Sequence, residues 1–438
     1  MLDIKFIRAN PDLIKEAVRR KRLEVDVDRL LALDAERRRL LAETEELRAV
    51  KNRESAAIPT LKGDERAAAI ARLKEVDGRL AAAKPALDRV EAEFGALMLE
   101  IPNPPAPEVP DGRDEDDNVE VGRWGAPRQF TFAPRDHVAV AESLDLLDMP
   151  RAAKLAGART YFLKNEGALL HQAVLRMAME HMVRKGFTPM VVPVMVKDEA
   201  MTGTGYFPGG EDQAYRTAPD GLNLIGTAEV ALTAYHAGEI LPEAELPKKY
   251  VGISPCFRRE AGAAGKDTRG FYRVHQFEKV EQVVVDVADE ARSREHHLAM
   301  LRNSQEILEA LDLPYRTVLV CAGDMGRGQV FKHDLEAWMP GRGKYGETHS
   351  CSTFHDFQAR RLNLRYRDSS GEVRFCHTLN NTVLASPRVL VTILENYQEA
   401  DGSVTVPEVL RPYLGGQARI GPEKHDRKRE APAAVVNI

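Results

Sequence analysis

Apolar residues at Leu73, Val76, Leu80, Ala83, Leu87, Val90, Phe94, Leu97 and Ile101 keep an unbroken three-four spacing with charged residues between them, the pattern of a coiled-coil seam. Upstream, Leu33, Leu40 and Leu47 recur at heptad spacing, with Leu30 and Val50 beside them. Two long amphipathic helices are predicted, and the break at Ala56-Ala-Ile-Pro-Thr-Leu-Lys-Gly63 makes an antiparallel hairpin the economical arrangement. Pro85 lies inside the second pattern, where proline kinks a helix or costs about 3 kcal/mol. Ile101-Pro-Asn-Pro-Pro-Ala-Pro-Glu-Val-Pro110 then ends the helix and reads as a stiff linker.

Beyond residue 111 the pattern becomes mixed. Leu169 to Arg184 reads as a helix, and Gly186 to Val196 as a β-branched strand whose two prolines imply an edge or interface position. Leu224-Ile-Gly-Thr-Ala-Glu-Val230 leads from a short apolar run into a helix, with Thr227 placed either to cap it or to meet a ligand. Cys256 to Glu260 and Arg273 to Glu281 read as two strands. Alternation puts Arg258 and Glu260 on one face, as it does Arg273, Phe277 and Glu281, with Val274 and Val280 opposite. The loop between them carries three glycines and suits a segment that closes over a ligand. An exposed edge hairpin with solvated charges is the competing reading.

Leu362 to Gly371 and Val373 to Leu379 alternate like a hairpin turning at Asp368-Ser-Ser-Gly371. Asn380 to Arg388 then opens a helix, with Ser386 as N-cap, Pro387 at the first helical position and Leu390, Ile393, Leu394 and Tyr397 as the apolar stripe. Arg388 falls in the first turn, where a cation opposes the helix dipole. An anion held jointly by Arg388 and the helix start would relieve that conflict. The alternative is an arginine reaching into water.

Composition narrows the class. The chain has 438 residues, 43% apolar and 29% charged, enough for two soluble domains. The absence of a long apolar run or a hydrophobic signal core leads to an expectation of a cytoplasmic protein with no membrane partner. The four cysteines, at 256, 321, 351 and 376, contain no Cys-x-x-Cys pair, so neither a disulfide framework nor a structural zinc site is expected. A net charge of -5 disfavours non-specific nucleic-acid binding and leaves local patches to do it. One such patch gathers Arg37, Arg38, Arg39, Arg48, Lys51 and Arg53 on the outgoing helix of the hairpin. It reads as a phosphate-contacting arm or as the solvated face of a spacer coil.

At this point the residues resemble a family. Phe257-Arg-Arg-Glu260, the glycine-rich loop and Arg273 to Glu281 resemble motif 2 of class II aminoacyl-tRNA synthetases. Leu384-Ala-Ser-Pro-Arg388 resembles motif 3, and the helix before Pro193 resembles motif 1. Thr227-Ala-Glu229, Arg269 to Glu281, Glu347-Thr-His-Ser350 and Pro407 to Tyr413 are similar to seryl-tRNA synthetases, as is the hairpin. The resemblance spans roughly residues 1 to 416. It implies an α+β fold, an antiparallel sheet flanked by helices, with a helical tRNA-binding arm over residues 1-110. A catalytic domain is expected over 111-418 and a disordered tail over 419-438. It also implies a homodimer through motif 1.

The implied chemistry is ATP-dependent activation of L-serine to seryl-adenylate, then transfer to tRNA(Ser), with tRNA(Sec) as a second acceptor through its long variable arm. Carried over by position, Arg258 meets the α-phosphate, Glu260 the adenine amino group and Phe277 the adenine ring. Arg259, the backbone at Val274, Thr348 and His349 complete the nucleotide site. Arg388 clamps the far phosphates, and Glu347 and Ser350 are the implied Mg²⁺ ligands. Thr227, Ala228, Glu229, Glu281, Asn380 and Thr382 are the implied serine contacts.

Two departures bear on the pocket: Asn380-Asn-Thr-Val383 stands where many bacterial members have Asn-Gly-Ser-Gly, and Gly226 where many have proline. His275 and Lys279 share the ligand face by parity without an assigned role, and His296-His297 reads as helix surface. Two other classes stay open: an enzyme that passes the acyl group to a carrier protein, and a non-catalytic regulatory relative. Retention of the arm argues against the first, and retention of Arg258, Glu260 and Arg388 against the second.

Overall fold

The computed structural model describes residues 1-262 and 269-421. Most of the glycine-rich loop, at 263-268, and the tail beyond 421 lie outside the described residues.

The chain divides into two compact units at Pro104 and Pro105, inside the proline-rich run expected to act as a linker. In the first unit, α1 (Ile4–Ala9) and α2 (Pro11–Arg20) precede the two long helices α3 (Val27–Ala57) and α4 (Gly63–Glu100). Asp26 caps α3 through the Arg29 N–H at 2.8 Å. Ion pairs Arg29–Glu93, Arg37–Glu91, Lys51–Asp77 and Arg72–Glu54 link the long helices. Positions rise on one helix as they fall on the other, which fixes the antiparallel hairpin. Leu33, Leu40 and Val90 form the seam, while Ile7, Ile14, Val18, Leu30, Met98 and Ile101 cluster at the base. Pro85 is carried within α4, which continues on both sides of it. The two short helices were not legible in the heptad pattern.

The second unit is built on an eight-stranded sheet. In chain order its strands are β1 (Val119–Trp124), β2 (Thr188–Val191), β3 (Lys248–Phe257), β4 (Gln276–Asp286), β5 (Tyr315–Leu319), β6 (Phe331–Met339), β7 (Lys344–His355) and β8 (His377–Ala385). Their spatial order is β1-β5-β6-β7-β8-β4-β3-β2, antiparallel except for the parallel edge pair β2–β3. Pro189 is tolerated because β2 is an edge strand. The helices α5 (Asn165–Arg184), α6 (Glu229–Ala234), α7 (Glu290–Ala310) and α8 (Ser386–Asn396) accompany the sheet. Leu170, Val174, Met177, Leu301, Ile307, Leu308, Val389, Leu390 and Ile393 join Val280, Val284 and Leu379 in the main core.

Several expectations change. The expected hairpin over 362-379 shrinks to Arg365–Arg367 paired with Val373–Phe375, because Phe357–Leu362 is helical and ends at a left-handed Asn363. Residues 380 to 385 belong to β8, a central strand with every residue buried, rather than to a helix entry. Ser386 is the first residue of α8, preceded by Ala385 as cap with no side-chain hydrogen bond. His297 is fully buried, bonded to Thr353 and His333, while His296 pairs with Asp286. Arg419 and Ile420 pair with Thr405 and Val404, so order extends past the expected start of the tail. Among the described residues no helix is long and apolar enough to cross a membrane.

Candidate active site

β3 and β4 pair from Lys248↔Val285 to Phe257↔Gln276, and one further bond, from the Arg258 N–H to the His275 carbonyl, closes the ladder at 2.9 Å. Arg258, Glu260 and Arg273 therefore lie beyond the strand ends, where Glu260 adopts a positive φ of 51°. Simple alternation does not govern them. Arg273 donates to Glu260 at 2.9 Å, and the Arg258 guanidinium lies 5.3 Å from the Phe277 ring centroid.

Two bulges shape the rest of the site. In β7, Leu335↔His349 is followed by Glu336↔Glu347, which leaves Thr348 as the extra residue. In β8, Val280↔Leu384 is followed by Glu281↔Thr382, which leaves Val383 extra. A bulge shifts alternation by one, so Glu347 and Ser350 reach the same cavity, as do Thr382 and Ala385. That cavity, of about 280 Å³, is lined by Tyr206, Glu229, Arg258, Glu260, Phe277 and Arg388 together with Val274, Thr348, Asn380 and Thr382.

Its electrostatics fall into two regions. Around Glu347, burial works to raise the carboxyl, but Arg388, Lys332 and Arg258 override it and hold the group down at about 2. Arg388 itself is stacked 4.8 Å over Tyr272, whose hydroxyl donates to the Glu347 carbonyl at 2.8 Å. The second region is acidic. Burial first, and then the charge of Glu281, push the Glu229 carboxyl up to about 7. Tyr206 and Gln358 donate to Glu229 at 3.3 and 2.9 Å. Glu281, fully buried, receives Lys279 Nζ at 2.5 Å, Asn380 Nδ2 at 3.1 Å and Thr382 Oγ1 at 3.4 Å.

The structure thus brings eleven expected residues onto one cavity: Glu229, Arg258, Glu260, Val274, Phe277, Glu347, Thr348, Ser350, Asn380, Thr382 and Arg388. Glu281 stands behind Asn380 and Thr382 as their acceptor. Thr227 and Ala228 are buried at the entry to α6; Thr227 Oγ1 accepts the Glu229 N–H at 3.3 Å, but the cap position falls on Ala228, with no side-chain cap bond. Arg259 and His349 do not line the cavity. Arg259 is exposed, with its N–H on the Gln213 carbonyl, and His349 is buried against Thr348 at 2.8 Å. Burial drives the His349 imidazole down to about 3, which keeps it neutral.

Four contributors carried no role in the sequence reading: Lys279, Tyr206, Tyr272 and Gln358. Lys279 was on the correct face by parity. Tyr272 stands next to Arg273 inside the Arg269 to Glu281 run, whereas Tyr206 and Gln358 come from distant segments where nothing local signals the site.

A cation site is compatible with this geometry. Glu347 is ionised, and a bulge places it on the same cavity as the Ser350 hydroxyl. Two hard oxygen donors leave most positions of an octahedral Mg²⁺ for phosphate oxygens and water. Among the described residues there is no group of three or more acidic, histidine or cysteine side chains that would form a closed metal cage.

Comparison with known proteins gives a consistent result. Residues 1–105 match the seryl-tRNA synthetase N-terminal domain, and residues 215–397 match the class II tRNA synthetase core domain (G, H, P, S and T). A serine--tRNA ligase of Deinococcus radiodurans is 45% identical over 421 residues, covering 96% of this chain and 99% of the relative. One from Thermobifida fusca is 46% identical over 416 residues, covering 95% and 98%. Among solved structures, the seryl-tRNA synthetase of Pyrococcus horikoshii complexed with ATP superposes with a TM-score of 0.90 at 41% identity, over 96% of this chain and all of that one. The cytoplasmic serine-tRNA ligase of Naegleria fowleri in complex with AMP gives 0.83 at 33% identity, over 94% and 96%. With both units matched and near-complete coverage in each direction, the chain belongs to the seryl-tRNA synthetase family of class II aminoacyl-tRNA synthetases.

Proposed function

We propose that the cavity binds ATP and L-serine side by side, forms seryl-adenylate with release of pyrophosphate, and passes the seryl group to tRNA(Ser). As a family member the chain is a serine--tRNA ligase that couples aminoacylation to ATP. The observation that carries the reading is the division of one cavity into a cationic end, with Arg258 and Arg388, and an acidic end, with Glu229 and the Glu281–Thr382 contact.

The nucleophile of the first step is serine's carboxylate, already an anion, so no strong base is needed. Arg258 and Arg388 counter the charge that develops on the phosphates, and fixed positioning supplies much of the remainder. Phe277 offers the adenine ring a stacking surface, and Glu260, held by Arg273, offers an acceptor for its amino group. Mg²⁺, when bound by Glu347 and Ser350, would neutralise phosphate charge.

At the acidic end, a serine ammonium would find Glu229, and the serine hydroxyl would find Thr382 and Asn380 backed by Glu281. A site built to bond a hydroxyl rejects alanine, because its own buried polar groups would otherwise stay unpaired. Threonine is excluded by size.

The arm over residues 1-110 is assigned to tRNA, with Arg48 and Arg53 exposed on α3. Recognition of a long variable arm by shape extends the acceptors to tRNA(Sec). The apolar exposure of Leu169, Val191 and Met195 supports a homodimer through the motif 1 region. The cytoplasm is the assigned compartment. The test is a rapid-quench reaction of the protein with ATP, serine and tRNA(Ser). Seryl-adenylate should rise and decay as seryl-tRNA forms; seryl-tRNA appearing without the adenylate, or no charging, would refute the reading.

A further inference from the structure

Glu229, the acid assigned to the serine ammonium, has its two carboxylate oxygens held from different sides. Gln358 donates to Oε1 at 2.9 Å, and its own carbonyl accepts the Thr378 hydroxyl at 2.6 Å, so its amide is fixed with the nitrogen toward the acid. Tyr206 donates to Oε2 at 3.3 Å and is the one side chain bonded to that oxygen among the described residues. The Gln358 contact is buried, whereas Tyr206 lines the cavity beside Glu229.

Tyr206 also lines a second cavity, of about 590 Å³. Four residues face both spaces: Tyr206, Arg258, Glu260 and Arg273. The last two close on each other through their 2.9 Å ion pair, and Arg258 Nε donates to the Gly226 carbonyl at 3.3 Å. Of this partition, Tyr206 is the member hydrogen-bonded to Glu229. Its place is set locally. The helix Asp198–Thr204 ends on Gly205 in the left-handed region, φ 91°, and the Tyr206 N–H returns to the Met201 carbonyl at 2.9 Å. The side chain then packs on the apolar cluster that includes Met201, Phe207, Ile225 and Val230. Gly226 leaves the ring its room. A methyl at that position would already stand 3.7 Å from Tyr206 Cε1, Arg258 Nε and the Phe257 carbonyl oxygen, and the proline that many bacterial members carry there would crowd the same corner.

We propose that Tyr206 selects for an unsubstituted amino group: its hydroxyl positions the Glu229 carboxylate, and its ring walls the ammonium end of the pocket off from the second cavity. The inference rests on the seryl-adenylate reading, which puts the serine ammonium at Glu229. A carboxylate held at both oxygens is preorganised for that ammonium. A substituent on the nitrogen would press on the ring or take a donor away from the acid. With the ring removed, the second cavity supplies the missing space.

The experiment measures ATP–pyrophosphate exchange of the full-length protein with L-serine and with N-methyl-L-serine, in wild type, Tyr206→Phe, Tyr206→Leu and Tyr206→Ala. Wild type should use N-methyl-L-serine about 100-fold less well than serine in kcat/KM, the scale of one misplaced methyl group in a fitted pocket. Tyr206→Phe keeps the ring and should keep that exclusion, while KM for serine rises about 5-fold, the scale of one hydrogen bond. Tyr206→Ala should narrow the gap to within about 10-fold, a gain of substrate that a merely loosened fold does not give. Tyr206→Leu keeps apolar packing with a shorter side chain and should narrow it in the same direction. An undiminished gap in Tyr206→Leu or Tyr206→Ala, or an unchanged KM for serine in Tyr206→Phe, would overturn the proposal. Wild-type use of N-methyl-L-serine equal to that of serine would overturn it too. Absence of serine-dependent exchange in the wild type would instead refute the adenylate reading beneath it.

Discussion

Arg388 Nη1 lies 3.0 Å from the main-chain oxygen of Glu347 and 3.1 Å from its Oε1. One guanidinium near the start of α8 thus holds both the backbone and the side chain of a residue set beside a β-bulge. Arg388→Ala should lower pyrophosphate exchange by about 10²- to 10³-fold, the usual cost of losing one charge-stabilising group. Arg388→Lys should recover little, because a point charge cannot reproduce the planar stacking on Tyr272 together with both contacts. Rates near wild type in either variant would contradict this role.

The raised Glu229 carboxyl has a pH signature. Its folded value of about 7 exceeds the unfolded value of 4.5, so between them the folded chain binds more protons. The contribution is fully present below pH 4.5 and is lost as pH rises through 7. Ligand-free Glu229→Gln should lack this decline in thermal scans across that range. Serine, bringing an ammonium to the carboxylate, should bind with proton release near neutrality. Calorimetry in buffers of different ionisation heat should record that release in wild type and not in Glu229→Gln.

Lys279 and Glu281 are a buried ion pair two residues apart on β4. Removing one partner leaves the other charge buried and unpaired, so Lys279→Met should destabilise the protein by about 3–5 kcal/mol. The double variant Lys279→Met/Glu281→Gln should recover part of that loss while still failing to use serine. Denaturant unfolding of the three proteins checks both statements.

On the arm, Arg37, Arg39 and Lys51 are engaged with Glu91, Glu43 and Asp77, and Arg38 with Asp34. Among the described residues Arg48 and Arg53 are exposed and form no ion pair. They are the arginines of this group most available to a phosphate backbone. Arg48→Ala/Arg53→Ala should raise KM for tRNA and lessen its dependence on salt. Stability should stay within about 0.5 kcal/mol and exchange should be unaffected, as expected of surface changes far from such features. An unchanged KM would remove these two residues from the interface.

The hairpin was legible because heptad spacing survives any tertiary context, and α3 and α4 fall close to their expected limits. The ligand strands were legible in part. Alternation placed Phe277, Lys279 and Glu281 correctly, but it gave no warning of the two bulges that bring Glu347 beside Ser350 and Thr382 beside Ala385. β8 was taken for a helix entry because Ser386, Pro387 and the apolar stripe after them mark a helix start, and the polar Asn380-Asn-Thr382 run was counted with it. Its amide N–H and hydroxyl donors are taken up by Glu281 on β4 and by Met300 and Ser304 on α7. His297 was misjudged as surface although it shares the helical stripe of Ser293, Met300 and Ser304 that α7 buries. The arginine at the start of α8 was expected to share an anion with the helix start or to reach into water, and in the structure it pairs with Glu347, distant in sequence.

The central claim is that one cavity grips a triphosphate beside a small hydroxylated amino acid. Its most direct test is ATP–pyrophosphate exchange by the purified protein with serine, alanine or threonine as the only amino acid. The account predicts exchange with serine exceeding that with alanine by about 10⁴-fold, the scale set by unpaired buried polar groups, with threonine also well below serine. Exchange no faster with serine than with alanine or threonine would contradict it.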